Sequence, residues 1–130
     1  MNKNYKILLV CDDEAIRSAY LKSLAHISRN VEFVCDGDEA VAAIEQRTFD
    51  LVLLDVRTPT AAILRTVKLK SPDSEVVVVA SHPNLAGAKE AVRLGAYDYV
   101  AKPVGPHEVI NLSCAALTHK RWTLHAEHRP

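Results

Sequence analysis

The chain has 130 residues, 48% hydrophobic and 25% charged, which suits a single compact domain with a buried core. Its 16 basic and 16 acidic side chains cancel, which argues against a protein that binds nucleic acid mainly through net positive charge. No apolar run is longer than 76–80 and the cysteines include no CxxC pair, so we expect a reduced, cytoplasmic protein without a membrane segment, disulfide framework or zinc site.

The first half of the chain alternates apolar runs with helical patterns. Strands are predicted at 6–11 and 31–35, because both are short and almost wholly apolar. Helices are predicted at 14–27 and 37–47. The first helix has one apolar face, formed by Ile16, Tyr20, Leu24 and Ile27.

The middle of the chain continues this alternation. Strands are predicted at 51–54 and 76–79. A helix is predicted between them at 59–70, with Thr58 as N-cap and Pro59 at its first position.

The last third adds two more helices and a strand. A helix is predicted at 84–94, closed by Gly95, and a short strand at 97–100. The core face of this helix is predicted to carry Leu85, Ala88 and Val92. The final helix opens at Gly105-Pro106, and its predicted core face carries Ile110, Cys114 and Leu117. Apolar strands that alternate with helices predict a parallel α/β sheet covered on both faces, in one domain over 1–119. Residues 120–130 form a polar tail, either a helix extension or the start of a linker.

Charged residues follow the strands at the sheet edge where open α/β folds bind ligands. Asp12 and Asp13 follow the first strand, Asp55 the third, and Lys102 the fifth. Close carboxylates repel one another, which favours a hard cation such as Mg²⁺ between them. An ionised aspartate can attack phosphorus and a lysine can neutralise a phosphate, so the pattern indicates phosphoryl transfer to an aspartate at this edge.

Each of these residues also has a purely structural interpretation. Asp13 could cap the first helix, Asp55 could cap a turn, and Lys102 could be a solvated loop residue.

Three stretches, ILLVCDDE, DLVLLDVRTP and above all LGAYDYVAKPV, resemble the receiver domain of response regulators in two-component signalling. The resemblance covers residues 5–118 and is strongest to receivers of the nitrogen-regulator type. It implies a flavodoxin-like, doubly wound (βα)5 fold with strand order 2-1-3-4-5. It also implies a signalling domain that is not an enzyme in its own right.

The resemblance implies roles for individual residues. Asp55 would be the phosphoacceptor and Lys102 would contact the phosphoryl group. Asp13 would bind Mg²⁺ directly, Asp12 mainly through water, and the backbone carbonyl of Arg57 would be a further ligand. Tyr99 would be the aromatic residue that switches position on activation. The peptide bond between Lys102 and Pro103 would be cis.

The implied partners follow from the same resemblance. A sensor histidine kinase or phosphotransfer protein would supply the phosphoryl group. The surface of the fourth helix, fifth strand and fifth helix would carry the signal, through a homodimer or a downstream effector domain. Direct contact with nucleic acid or membrane is not implied.

The sequence departs from the family pattern at the end of the fourth strand. Receivers carry a threonine or serine there, which bonds the phosphoryl group. Counting without gaps from Gly95 and Lys102 puts Ala80 at that position. Ser81 could substitute only if the following loop were one residue shorter or a bulge turned it inward.

A second departure follows the acceptor. The family's methionine is replaced by Thr58, and its acidic residue and glycine are missing after Pro59, so the loop is predicted to be short. A shortened loop would shift the carbonyl of Arg57 and weaken the metal site. These departures leave an alternative function, a degenerate receiver that binds partners constitutively. An aspartate-based phosphatase is disfavoured, because such an enzyme needs an acidic residue as general acid two positions after its nucleophile, and that position is Arg57 here.

Overall fold

A computed structural model describes residues 4–55 and 60–127 of the chain. Within those ranges strands and helices alternate. In chain order the elements are β1 (Lys6–Cys11), α1 (Glu14–Leu24), β2 (Asn30–Val34), α2 (Gly37–Gln46), β3 (Leu51–Asp55), α3 (Ala61–Lys70), β4 (Glu75–Ala80), α4 (Leu85–Arg93), β5 (Asp98–Ala101) and α5 (Pro106–Glu127).

The strands form one parallel sheet in the order β2-β1-β3-β4-β5, which confirms the predicted fold. β1 lies between β2 and β3, so β2 is added on one side of β1 and the later strands are added on the other. The carboxyl ends of β1 and β3 are therefore adjacent, with Cys11 opposite Asp55 in the register. This is the edge at which such folds bind ligands.

Alternate residues of each central strand enter two apolar layers, because successive side chains of a strand point to opposite faces. One layer packs under α1 and α5 and includes Leu9, Leu53 and Val77. The other packs under α2, α3 and α4 and includes Leu54 and Val78. Burial on both faces explains why these strands are continuous apolar runs.

Side-chain caps set the starts of three helices. The carboxylates of Asp13 and Asp36 accept hydrogen bonds from the backbone amides of α1 and α2, and the Asn84 side chain does so for α4. Gly95 has a φ of 96° after α4, which supports its prediction as the residue that closes this helix. α1 ends at Leu24, before the predicted end at residue 27.

The start of α3 differs from its prediction. The helix begins at Ala61, with Thr60 at the N-cap position and no side-chain capping bond. The predicted N-cap, Thr58, and the predicted first helical residue, Pro59, precede this start and lie outside the described residues. Sequence patterns locate helix ends less well than helix centres, because the end depends on the path of the preceding loop.

The predicted core face of α4 is wrong. Leu85 and Val92 are 71% and 65% exposed, and the buried residue of this helix is Ala91. α4 approaches the sheet through small residues: a Cβ added at Gly87 would lie 2.9 Å from the Tyr99 hydroxyl. The side chains on the contact face are thus too small to form a recognisable apolar stripe in the sequence. The large apolar residues of α4 face outward.

α5 extends along the sheet from the ligand-binding edge to the opposite edge. Leu117 is buried and Ile110 and Cys114 are partly buried, as predicted. His119 lies 5.1 Å from Tyr97 between ring centroids, and its Nδ1 contacts the Glu75 carboxylate.

The helix continues through Glu127, so most of the segment 120–130 extends α5. Among the described residues, no helix combines the length and apolar character needed to cross a membrane.

Candidate phosphoacceptor site

The carboxyl edge of the sheet brings the predicted charged residues together. Asp12 and Asp13 follow β1, and Asp55 is the last residue of the adjacent β3. Lys102 follows β5, and its backbone amide bonds the carbonyl of Ala80 at 3.0 Å. That bond fixes the start of the β5–α5 connection against β4. The Lys102–Pro103 peptide bond is cis, the isomer that the resemblance implies.

Asp55 is held by two partners from different elements. Its side chain is 2% exposed, and Oδ1 forms an ion pair with the Nζ atom of Lys102. Oδ2 accepts a hydrogen bond of 2.5 Å from the hydroxyl of Tyr20 in α1. A buried carboxylate is costly unless it is paired and hydrogen-bonded, and both requirements are met here. The structural interpretation of Asp55 as a turn cap does not account for this burial.

The sequence pattern places Tyr20 on the apolar face of α1 and does not predict its contact with Asp55. Tyr20 is 4% exposed and does pack in the core under α1 and α5. One available signal was its phenol, because a buried tyrosine hydroxyl usually needs a hydrogen-bond partner. Burial, and then the hydrogen bond to Asp55, raise the pKa of Tyr20 above its usual value of 10.0.

Replacing Tyr20 with phenylalanine is expected to change the stability of the protein in alkali. Above pH 10, Tyr20 keeps its proton in the folded protein and loses it in the unfolded chain, because burial and the hydrogen bond to Asp55 raise its folded pKa. The contribution of the hydroxyl is therefore complete below pH 10 and decreases as the pH rises further. The difference in unfolding free energy between wild type and Tyr20→Phe should therefore shrink by a total of about 1.4 kcal/mol between pH 9 and pH 11. Urea unfolding from pH 9 to 11 measures it, and a constant difference would refute the assignment.

Asp12 and Asp13 supply exposed oxygen donors beside Asp55. Asp13 caps α1 by accepting from the amide of Ile16 at 3.0 Å, so its structural role is real. That bond occupies Oδ1 and leaves Oδ2 as a donor for a metal. No cluster of three or more acidic, histidine or cysteine side chains poised for a metal occurs among the described residues.

The donor chemistry at this edge nevertheless fits Mg²⁺. This ion favours oxygen, and it is commonly bound through one or two carboxylates with waters and phosphate oxygens completing its shell. Asp12 and Asp13 meet that minimum. The predicted further ligand, the carbonyl of Arg57, lies outside the described residues.

The end of β4 places Ala80 and Ser81 differently. Ala80 is partly buried and lies two residues beyond Val78, so it shares the sheet face of α3 and α4. Tyr99 pairs with Val78 across the strands and belongs to that same face. Ser81 follows the strand and is exposed.

A cavity of about 480 Å³ opens between the end of β4 and α4. Ala80, Tyr99 and Gly87 contribute to its walls. The Tyr99 hydroxyl lies over Gly87, where any side chain would meet it. The glycine thus leaves room for this position of the Tyr99 ring.

The chain belongs to the response regulator receiver domain family, whose profile matches residues 7–113. It is 31% identical over 116 residues to the DNA-binding transcriptional regulator NtrC of Salmonella typhimurium, covering 87% of this chain and 25% of NtrC. It is 35% identical over 98 residues to the regulatory protein LuxO of Vibrio cholerae, covering 73% of this chain and 22% of LuxO. The chain therefore spans about a quarter of the length of these curated relatives.

Solved structures show the same likeness. NtrX from Brucella abortus superposes with a TM-score of 0.83 at 30% identity, over 95% of this chain and 29% of NtrX. A CheY-like receiver domain protein from Methanospirillum hungatei superposes with a TM-score of 0.85 at 25% identity, over 92% of this chain and 98% of that one. The predicted family is thus confirmed. It is the receiver domain of two-component response regulators, a signalling domain.

Proposed function

We propose that this domain accepts a phosphoryl group on Asp55 from a histidine kinase or phosphotransfer protein. The observation that supports this most is the pairing of a buried carboxylate with Lys102 at the carboxyl edge of the sheet. A carboxylate made only for structural purposes would not need to lie beside two exposed acidic residues. Asp12 and Asp13 are the proposed ligands of Mg²⁺, with Asp55 and the Arg57 carbonyl completing the protein's share.

The proposed reaction is an in-line transfer. An Asp55 oxygen attacks phosphorus, the bond from phosphorus to the donor nitrogen breaks, and the nitrogen keeps the electron pair. Lys102 is close enough to neutralise charge on the transferred oxygens. A bound Mg²⁺ would add positive charge beside the phosphoryl oxygens. The protein's residues contribute mainly by position and charge.

Signal output is proposed to use the surface of α4, β5 and α5. Leu85 and Val92, exposed on α4, supply apolar area for a partner there. The partner would be a second copy of the domain or an effector domain, since the relatives are about four times longer than the part they share with this chain.

Incubation with acetyl phosphate and MgCl₂ tests the proposal directly. Intact mass spectrometry is expected to show one added phosphoryl group in the wild type and none in Asp55→Asn. Asp38→Asn is the matched control, because Asp38 is an exposed aspartate in the first turn of α2. Chelation of the metal should suppress the adduct. An adduct that persists in Asp55→Asn, or a wild type that forms none, would refute phosphotransfer to this residue.

A further inference from the structure

Tyr20 gives Asp55 a partner that is separate from Lys102. Its hydroxyl is 2.5 Å from Oδ2, while Lys102 contacts Oδ1. Tyr20 reaches the carboxylate from the layer under α1 and α5. The position of the missing family hydroxyl, Ala80, lies on the opposite face of the sheet. Tyr20 thus supplies a hydroxyl to Asp55 from the other face of the sheet and does not replace the missing hydroxyl on the face of Ala80.

The strength of this hydrogen bond depends on the charge of Asp55. An ionised carboxylate oxygen accepts a stronger bond than a neutral acyl oxygen. Phosphorylation turns the carboxylate into a mixed anhydride, whose second oxygen carries less charge. The bond from Tyr20 therefore stabilises unmodified Asp55 more than its phosphorylated form.

Hydrolysis of the phosphorylated residue restores that charge. Water attacks phosphorus, the bond between phosphorus and the Asp55 oxygen breaks, and the carboxylate leaves with the electron pair. Inorganic phosphate forms and the proton of water passes to solvent or to phosphate. A donor aimed at the leaving carboxylate gains strength as the bond breaks, so it lowers the barrier.

We propose that the Tyr20 hydroxyl shortens the lifetime of the aspartyl-phosphate on Asp55 by stabilising the carboxylate as it leaves. This inference rests on the proposed function and assigns a rate-setting role to a residue buried in α1. The same contact reduces the nucleophilicity of unmodified Asp55. Tyr20 therefore lowers the steady-state level of phosphorylation from both directions.

The test is the decay of the adduct in Tyr20→Phe, which retains the aromatic ring and lacks the hydroxyl. Protein is phosphorylated with acetyl phosphate and Mg²⁺, freed of donor by rapid gel filtration, and followed by intact mass. We expect decay about fivefold slower than in wild type. The steady-state level before donor removal should be higher. The ratio of decay rates should persist after the metal is chelated, because the proposed effect acts on the carboxylate and not on Mg²⁺.

Two further variants make the result specific. Tyr5→Phe is the matched control, because Tyr5 is 7% exposed in the same apolar layer but precedes β1, at the opposite edge of the sheet. It should decay like wild type. Tyr20→Leu also lacks the hydroxyl and should decay as slowly as Tyr20→Phe, with the melting temperature reporting that each variant is folded.

The outcomes separate the two proposals. A wild-type adduct that depends on Asp55, with equal or faster decay in both Tyr20 variants, would overturn the role of Tyr20 and leave phosphotransfer intact. Absence of any adduct dependent on Asp55 would overturn both. Slower decay in Tyr5→Phe to the same extent would also overturn the role, since the effect would then be a general response to core substitution.

Discussion

Replacing Lys102 with methionine is expected to destabilise the folded protein by about 2 kcal/mol at neutral pH. Asp55 is buried, and this substitution removes its cationic partner while leaving the charge inside. Losing one member of a fully buried pair costs more, but the Lys102 side chain is 24% exposed, so water screens part of the interaction. Denaturant unfolding in metal-free buffer measures the effect.

A double-mutant cycle with Asp55→Asn isolates the pair. Lys102→Met should cost little in the Asp55→Asn background, because the amide has no charge to neutralise. Lys89→Met, on the exposed side of α4, controls for loss of a surface lysine. Equal costs of Lys102→Met in the two backgrounds would show that its effect arises from packing.

The Lys102→Met variant should also accept phosphoryl groups more slowly from acetyl phosphate, since Lys102 faces the transferred oxygens in the proposed reaction.

Replacing Ala80 with threonine is expected to strengthen the coupling between phosphorylation and conformation. A hydroxyl at the end of β4 can bond a phosphoryl oxygen on Asp55, and a charge-assisted bond of that kind contributes about 1.5–3 kcal/mol. Two-state proteins commonly separate their conformations by a few kcal/mol, so the bond would shift the equilibrium by about tenfold or more. Tyr99 shares the sheet face of Ala80 and is the natural reporter. Its NMR signals, recorded with and without beryllofluoride and Mg²⁺, measure the change.

Ala80→Val is the matched control, because valine has the shape of threonine without its hydroxyl. A response to beryllofluoride as large in valine as in threonine would rule out the hydrogen bond as its cause. Ser81→Ala tests the alternative assignment. If Ser81 already supplies the hydroxyl, the Ser81→Ala substitution should abolish the wild-type response at Tyr99. The exposed position of Ser81 argues against that role for its hydroxyl.

The sheet could be predicted from sequence because burial on both faces leaves long apolar runs. The strand centres at 51–54 and 76–79 lie within β3 and β4, and both runs are buried throughout. The order of the strands in the sheet could be predicted only from the family resemblance, because apolar runs do not show which strands are neighbours. The convergence of Asp12, Asp13, Asp55 and Lys102 at one edge then follows from a parallel sheet, whose strand ends meet on the same side.

The parts that sequence could not predict depend on contacts between elements. The apolar spacing of Leu85 and Val92 suggested a buried stripe, but α4 turns Ala91 to the sheet and leaves both larger residues exposed. Periodicity placed Tyr20 in the core correctly. It could not show that the hydroxyl ends beside Asp55, because that depends on where α1 lies along the sheet.

The attachment of α4 has a consequence for local stability. α1, α2 and α3 each bury three residues, whereas α4 buries Ala91. Burial of apolar surface supplies most of the free energy that holds a helix to a domain, and alanine contributes little of it. Detaching α4 therefore costs less than detaching its neighbours, and its amide hydrogens should exchange with solvent through openings that leave the sheet folded. The helix beside the end of β4 is in this sense a separately melting unit, able to rearrange while the acceptor edge keeps its geometry.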